Sequence, residues 1–288
     1  MDKMTAGWQS GDLIILAARP SMGKTAFALN LTLNAAFKEK KKVAFFSVEM
    51  AKEQMMIRML SIASKVSLGD LRIGQIDDNA WPRLINTAAS MSEAPIFIDD
   101  TSGISPFEIR AKARRLKAKH GLDMIIIDYL QLMGMKQKME SREREVSEIS
   151  KTLKAIAKEL KVPVVALAQL NRGVEGRGDR RPMLSDLRES GSIEQDADII
   201  MMLFREDYYD RDNPDIKGIA EVIIGKQRNG PTGTVKLRWI PHFGLFQNYV
   251  EGQNPGAPMP DAPSGPDAHV GHRSNVGPPK NFAPGGNA

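Results

Sequence analysis

The 288-residue sequence contains no cysteine. That excludes a disulfide framework, a thiolate metal site and a cysteine nucleophile. It fits a reducing compartment such as the cytoplasm. No apolar run approaches the ~20 residues of a membrane helix, and the N-terminus does not read as a signal peptide, so no membrane association is expected. There is no internal repeat. Acidic residues are in slight deficit: 40 Lys and Arg face 35 Asp and Glu, giving a net charge of +5 and a pI of ≈ 9.3. Such an excess permits nucleic-acid binding without requiring it. The remaining composition, 42% apolar and 26% charged, is that of an ordinary globular protein.

The stretch that organises the chain is Ala18-Arg19-Pro20-Ser21-Met22-Gly23-Lys24-Thr25. It lies between the apolar run Leu13-Ile14-Ile15-Leu16-Ala17 and a helical pattern beginning near Ala26. Strand, tight loop and helix N-terminus are the setting a phosphate-binding loop requires. The first turn of a helix leaves backbone N–H groups unpaired, and its dipole favours an anion. Gly23 has no Cβ to keep a phosphate away. Lys24 is expected against the β- and γ-phosphates of a nucleotide, with the Thr25 hydroxyl on Mg²⁺. Pro20, Ser21, Met22, Gly23, Lys24, Thr25 and Ala26 form the expected nucleotide-binding segment. The pattern G-x-x-x-x-G-K-[ST] departs at one place, where Ala18 replaces its first glycine.

Further buried strands are expected at 43–48, 95–98, 124–127, 162–168 and 198–204. Helices are expected at 52–65, 78–92, 105–120 and 146–161. The first of these carries a methionine-rich side of Met55, Met56 and Met59, read as core. Asp77 or Asp78 is the expected cap of the second, and Ser105, Pro106 and Glu108 open the third as a capping box. Residues 135–144 read as a loop. Strands at 219–225 and 234–239 join through Asn229-Gly230, a hairpin signal, and a short strand is expected at 243–247. From 251 on, Pro, Gly, Asn and Asp dominate, and residues 251–288 are expected to be a disordered tail. Residues 1–250 then form one α/β domain: a mostly parallel sheet with helices on both faces and a C-terminal antiparallel hairpin.

In open α/β sheets, ligands bind beyond the carboxyl ends of the strands. Four strands end there in polar residues: Glu49, Asp99-Asp100, Asp128 and Gln169. Asp128 follows four apolar residues and is expected to hold the hydration shell of Mg²⁺. Glu49 is the candidate for polarising an attacking water, and Gln169 for sensing the γ-phosphate. Lys226 and Arg228 share one face of a strand end. They are candidates for stabilising charge on a transferring phosphoryl group. If the hairpin lies on the far side of the sheet, they serve a neighbouring copy.

Six runs taken in order carry a resemblance. They are residues 18–25, Ser-Val-Glu-Met (47–50), Ile-Ile-Ile-Asp-Tyr-Leu-Gln-Leu-Met (125–133), Ala-Leu-Ala-Gln-Leu-Asn-Arg (166–172), 186–198 and Gly-Lys-Gln-Arg-Asn-Gly-Pro (225–231). Together they resemble the motor domain of the DnaB family of replicative DNA helicases, bacterial or phage. The resemblance covers about residues 3–250. It implies a RecA-like fold, a homo-hexameric ring, ATP bound between subunits, and movement along single-stranded DNA. By matching position, Glu49 resembles the catalytic glutamate, Asp128 the Walker B acid and Gln169 the γ-phosphate sensor. Arg228 with Lys226 resembles the finger supplied in trans, and Arg188, Glu189 and Gly191 match the loop that contacts the DNA backbone. A helicase loader and primase are further implied partners. Primase contact is expected to depend on an N-terminal domain that has no counterpart in these residues. Two other readings remain open from the sequence: a filament-forming RecA-like recombination ATPase, and a nucleotide-gated binding module.

Overall fold

A computed structural model describes residues 2–134 and 140–250. The expected tail, 251–288, and residues 135–139 of the expected 135–144 loop lie outside the described residues. Within them, nine strands form one sheet in the order β3-β2-β4-β5-β1-β6-β7-β8-β9. The strands are β1 (Leu13–Ala18), β2 (Val43–Ser47), β3 (Ile96–Asp99), β4 (Met124–Asp128), β5 (Val164–Gln169), β6 (Ile199–Phe204), β7 (Ile219–Gln227), β8 (Gly233–Ile240) and β9 (Leu245–Asn248). The first six are mutually parallel, and β7, β8 and β9 continue the sheet as an antiparallel meander.

The helices are α1 (Asp2–Thr5), α2 (Lys24–Leu33), α3 (Lys52–Ser64), α4 (Leu68–Ile73), α5 (Trp81–Glu93), α6 (Pro106–His120), α7 (Arg142–Leu160) and α8 (Gly191–Asp196). They cover both faces. Along β1, Leu13, Ile15 and Ala17 join the core beneath α6, α7 and α8, while Ile14, Leu16 and Ala18 join that beneath α2 and α3. This double burial explains why the parallel strands read as unbroken apolar runs. The capping box at Ser105 and Glu108 forms as expected.

Three local expectations are corrected. Met55 and Met59 are buried, but Met56 is 41% exposed, because i and i+4 share a helix face while i+1 turns away. Helix α5 has Ala80 as its N-cap, and the Asp77 carboxylate instead accepts the backbone N–H of Asn79. Helix α7 starts at Arg142, earlier than its apolar stripe, because Ser141 caps it through the Arg144 N–H. The β7–β8 hairpin forms as expected, and its five-residue connection, 228–232, contains Asn229-Gly230. Helix α4, capped by Ser67 and ended by Gly74, was not anticipated; at six residues it is too short for a periodic signal.

Candidate nucleotide site

The carboxyl ends of the parallel strands meet beyond β1, where the chain crosses to β6 on one side and β5 lies on the other. This is the topological switch point of the sheet. A cavity of ≈ 510 Å³ opens there, lined by Pro20, Ser21, Gly23, Lys24, Thr25, Ala26, Glu49 and Gln169 among others. Helix α2 begins at Lys24, with Gly23 at its N-cap in a left-handed conformation (φ 96°) and no side chain capping it. The unpaired N–H groups of that first turn therefore face the cavity without a partner from their own chain, which makes an anion seat. Ser21 is also left-handed (φ 65°). Ala18 causes no difficulty: it is the last residue of β1, fully paired with Gln169 and Leu203. The Met22 side chain is buried in the core beneath α2.

Asp128 ends β4 beneath the cavity and is fully buried. Its Oδ2 accepts the Thr25 hydroxyl at 2.7 Å, and its Oδ1 has no hydrogen-bond partner. Burial pushes the Asp128 carboxyl above the ordinary carboxylate range, opposed by Lys24 and the Thr25 bond. Burial equally lowers the Lys24 ammonium, opposed by Asp128 and Glu49. An orphaned carboxylate oxygen beside a hydroxyl is a hard-oxygen donor set suited to Mg²⁺. Among the described residues no three His, Asp or Glu side chains gather into a metal cage. A cation here is therefore completed by water or phosphate oxygens.

Glu49 stands exposed at the cavity, two residues past β2. Asp99 and Asp100 reach the same edge but have structural work. Lys112 and Thr101 hold Asp99 below the usual carboxylate range against its burial, and Asp100 accepts the Lys52 N–H at the start of α3.

Sequence reasoning missed four neighbours. The Gln131 amide brackets the backbone of Gln169, accepting its N–H at 3.2 Å and donating to its carbonyl at 3.3 Å. Arg19 also lines the cavity, and it donates to the Leu170 carbonyl at 2.8 Å and to Glu175 at 2.9 and 3.0 Å. It thereby ties the phosphate loop to the segment after Gln169. Arg58 of α3 lines the cavity with a buried, unpartnered Nε. The Lys24 ammonium rests 4.2 Å from the centre of the Tyr129 ring. Arg19, Tyr129 and Gln131 lie within the runs that carry the resemblance, but these contacts come from folding.

Lys226 and Arg228 are not at this site. Lys226 pairs with Ile200, and the Arg228 N–H donates to the Asp198 carbonyl, so both sit beside the start of β6. The phosphate loop follows the other end of β1, roughly 20 Å along the sheet. Arg188 and Glu189 fall in a 3-10 turn (Leu184–Ser190) that leads into α8 at Gly191. The side chains of residues 188–190 lie outside the described part of the structure.

Residues 1–248 match the family described as DnaB-like helicase C terminal domain. The chain is 55% identical over 249 residues to the replicative DNA helicase DnaC of Bacillus subtilis, covering 86% of this chain and 55% of the relative. It is 54% identical over 249 residues to the replicative DNA helicase DnaB of Geobacillus stearothermophilus, with the same coverage. The chain thus spans about half the length of these relatives. Among solved structures, one described as an ATPase domain superposes with a TM-score of 0.83 at 43% identity, covering 86% of this chain and 88% of that one. A DnaB-like replicative helicase, solved with its interactions with primase, gives a TM-score of 0.84 at 43% identity, covering 86% and 60%. These relatives leave the recombination ATPase considered from the sequence without support. The switch-point cavity, the uncapped α2 and this likeness across the sheet lead to one conclusion: the chain belongs to the family of DnaB-like helicase C-terminal domains.

Proposed function

We propose that this chain is the ATP-hydrolysing motor of a replicative DNA helicase, turning over ATP where two copies meet and moving along single-stranded DNA in a homo-hexameric ring. One observation carries the reading. The chain places an anion seat, a buried acid and a carboxylate at one sheet edge, and two cations at the opposite edge. A ring of identical copies brings one copy's cations to the next copy's anion.

In this mechanism the phosphates of ATP lie on the first turn of α2 and on Lys24. The Thr25 hydroxyl would hold Mg²⁺ and Asp128 its hydration shell, and the ion would supply charge to offset that developing on the phosphates. Glu49 accepts a hydrogen bond from the attacking water and orients it in line. Gln169, fixed by Gln131, senses the γ-phosphate through an amide that does not change charge. Arg228 and Lys226 of a neighbouring copy stabilise the charge on the transferring phosphoryl group. Arg188, Glu189 and Gly191 contact the DNA backbone, giving a salt-sensitive grip without sequence preference. A helicase loader and primase are its further partners, and the cytoplasm is its compartment.

The test is ATP turnover with and without single-stranded DNA, on material sized by light scattering. Stimulation by DNA in a hexameric fraction is expected. Tight ATP binding with negligible turnover, with or without DNA, would leave a nucleotide-gated binding module as the better description.

A further inference from the structure

The two trans-acting cations are not idle in the isolated chain. The Lys226 ammonium donates to the carbonyls of Glu194 and, at 2.8 Å, Ala197. The Arg228 Nη2 donates to the Gln195 carbonyl at 2.7 Å, and its Nε lies 3.5 Å from Asp198 Oδ1. All three carbonyls belong to the end of α8 or the residue after it. A helix end leaves its last carbonyls without intrahelical partners, and a cation there is favourable. The first residue of α8 is Gly191, the last of the expected DNA-contacting segment.

A β-bulge aims the cations at that helix. Along β7, Ile224 pairs with Met201 but Lys226 pairs with Ile200, so Gly225 is an extra residue. Strict alternation would put Lys226 on the face of Ile224, beneath α2. The extra residue flips it to the face of Ile200, where α8 packs. Gly225 sits close beneath two side chains: a Cβ there would lie 2.6 Å from Met202 Cε and 3.1 Å from Leu184 Cδ2, so both would have to shift to admit one.

We propose that Lys226, with Arg228, has two alternative seats, the C-terminal carbonyls of its own α8 and the phosphate presented by a neighbouring copy, and that exchange between them couples the neighbour's nucleotide to the 188–191 segment. This rests on the trans role proposed above. A phosphate on another copy lies outside this chain's surface. Lys226, folded against its own α8, reaches it only by leaving the two carbonyls. Arg228, with 51% of its side chain exposed, has less far to move. Vacating the seat removes the cations from the end of α8 and loosens the helix whose start carries Gly191. By linkage, DNA that favours one position of 188–191 alters the neighbour's affinity for nucleotide by the same factor.

The experiment compares wild type, Lys226→Met and Lys226→Arg as full chains. Methionine keeps the apolar stem and loses the charge. Without nucleotide, Lys226→Met should speed amide exchange at 193–198 by about three- to tenfold, and Lys226→Arg should restore slow exchange. Wild type given AMP-PNP should loosen the same residues, and Lys226→Met should show no further change. Affinity for a labelled oligothymidine should follow, by about fivefold or more between the two states. Equal exchange at 193–198 in wild type and Lys226→Met without nucleotide would overturn the proposal. So would a rise spread over the whole chain. Failure of the helicase reading itself looks different: wild type would then bind neither AMP-PNP nor oligothymidine.

Discussion

The two edges of the central sheet solve opposite problems. At the carboxyl edge, groups are left wanting: the first turn of α2 has no cap, and Asp128 Oδ1 is buried without a partner. At the other edge, Lys226 and Arg228 are satisfied by carbonyls of their own chain. An unsatisfied edge is prepared to receive a ligand. A satisfied one must give something up before it acts elsewhere. On the proposed reading, the receiving edge needs the cations of a neighbouring copy, and one copy alone is expected to be a poor ATPase.

The sharpest way to break the contrast is to remove the cation supplied from outside. Arg228→Ala should lower ATP turnover by about 10³-fold or more while leaving ATP binding nearly unchanged. Mixing it with Glu49→Ala should recover part of the rate, because an intact boundary can form from two defective chains; no recovery at any ratio would place the pair outside the site. Lys24→Ala attacks the receiving edge and should cost about 10²–10³-fold in phosphate release, with weakened nucleotide binding. A smaller effect is expected from Gln131→Leu. It frees the Gln169 backbone, so kcat should fall about tenfold with KM for ATP little changed.

The smallest effect concerns stability and sharpens the comparison from the apo side. Because burial raises the Asp128 pKa, the folded chain holds that proton more tightly than the unfolded chain does. The associated stability is present below the unfolded pKa and is lost as pH rises through the folded value. Asp128→Asn does not titrate. Its stability advantage over wild type should grow as pH rises, read by urea denaturation, while activity is lost. An advantage that shrinks with rising pH would contradict the burial argument.

Much of the site was legible beforehand because its signals are local. Gly23-Lys24-Thr25 after an apolar strand, and acids at strand ends, depend on neighbours within a few residues. Gln131, Arg19 and Arg58 were not legible, since their partners lie 38, 151 and more residues away or are cavity space. The Asn229-Gly230 signal, also local, marked the turn between β7 and β8.

Sequence alone determined the alternation of apolar runs and helical stripes, and with it a parallel sheet whose carboxyl ends share one edge. Chain direction enforces that without further information, because every parallel strand must end on the same side. Only tertiary structure decided that Asp128 would be buried with one oxygen orphaned, that a single extra residue at Gly225 would turn Lys226 toward α8, and that the cations would stand an entire strand away from the phosphate loop. Those outcomes depend on register and burial between distant segments, which local composition does not encode.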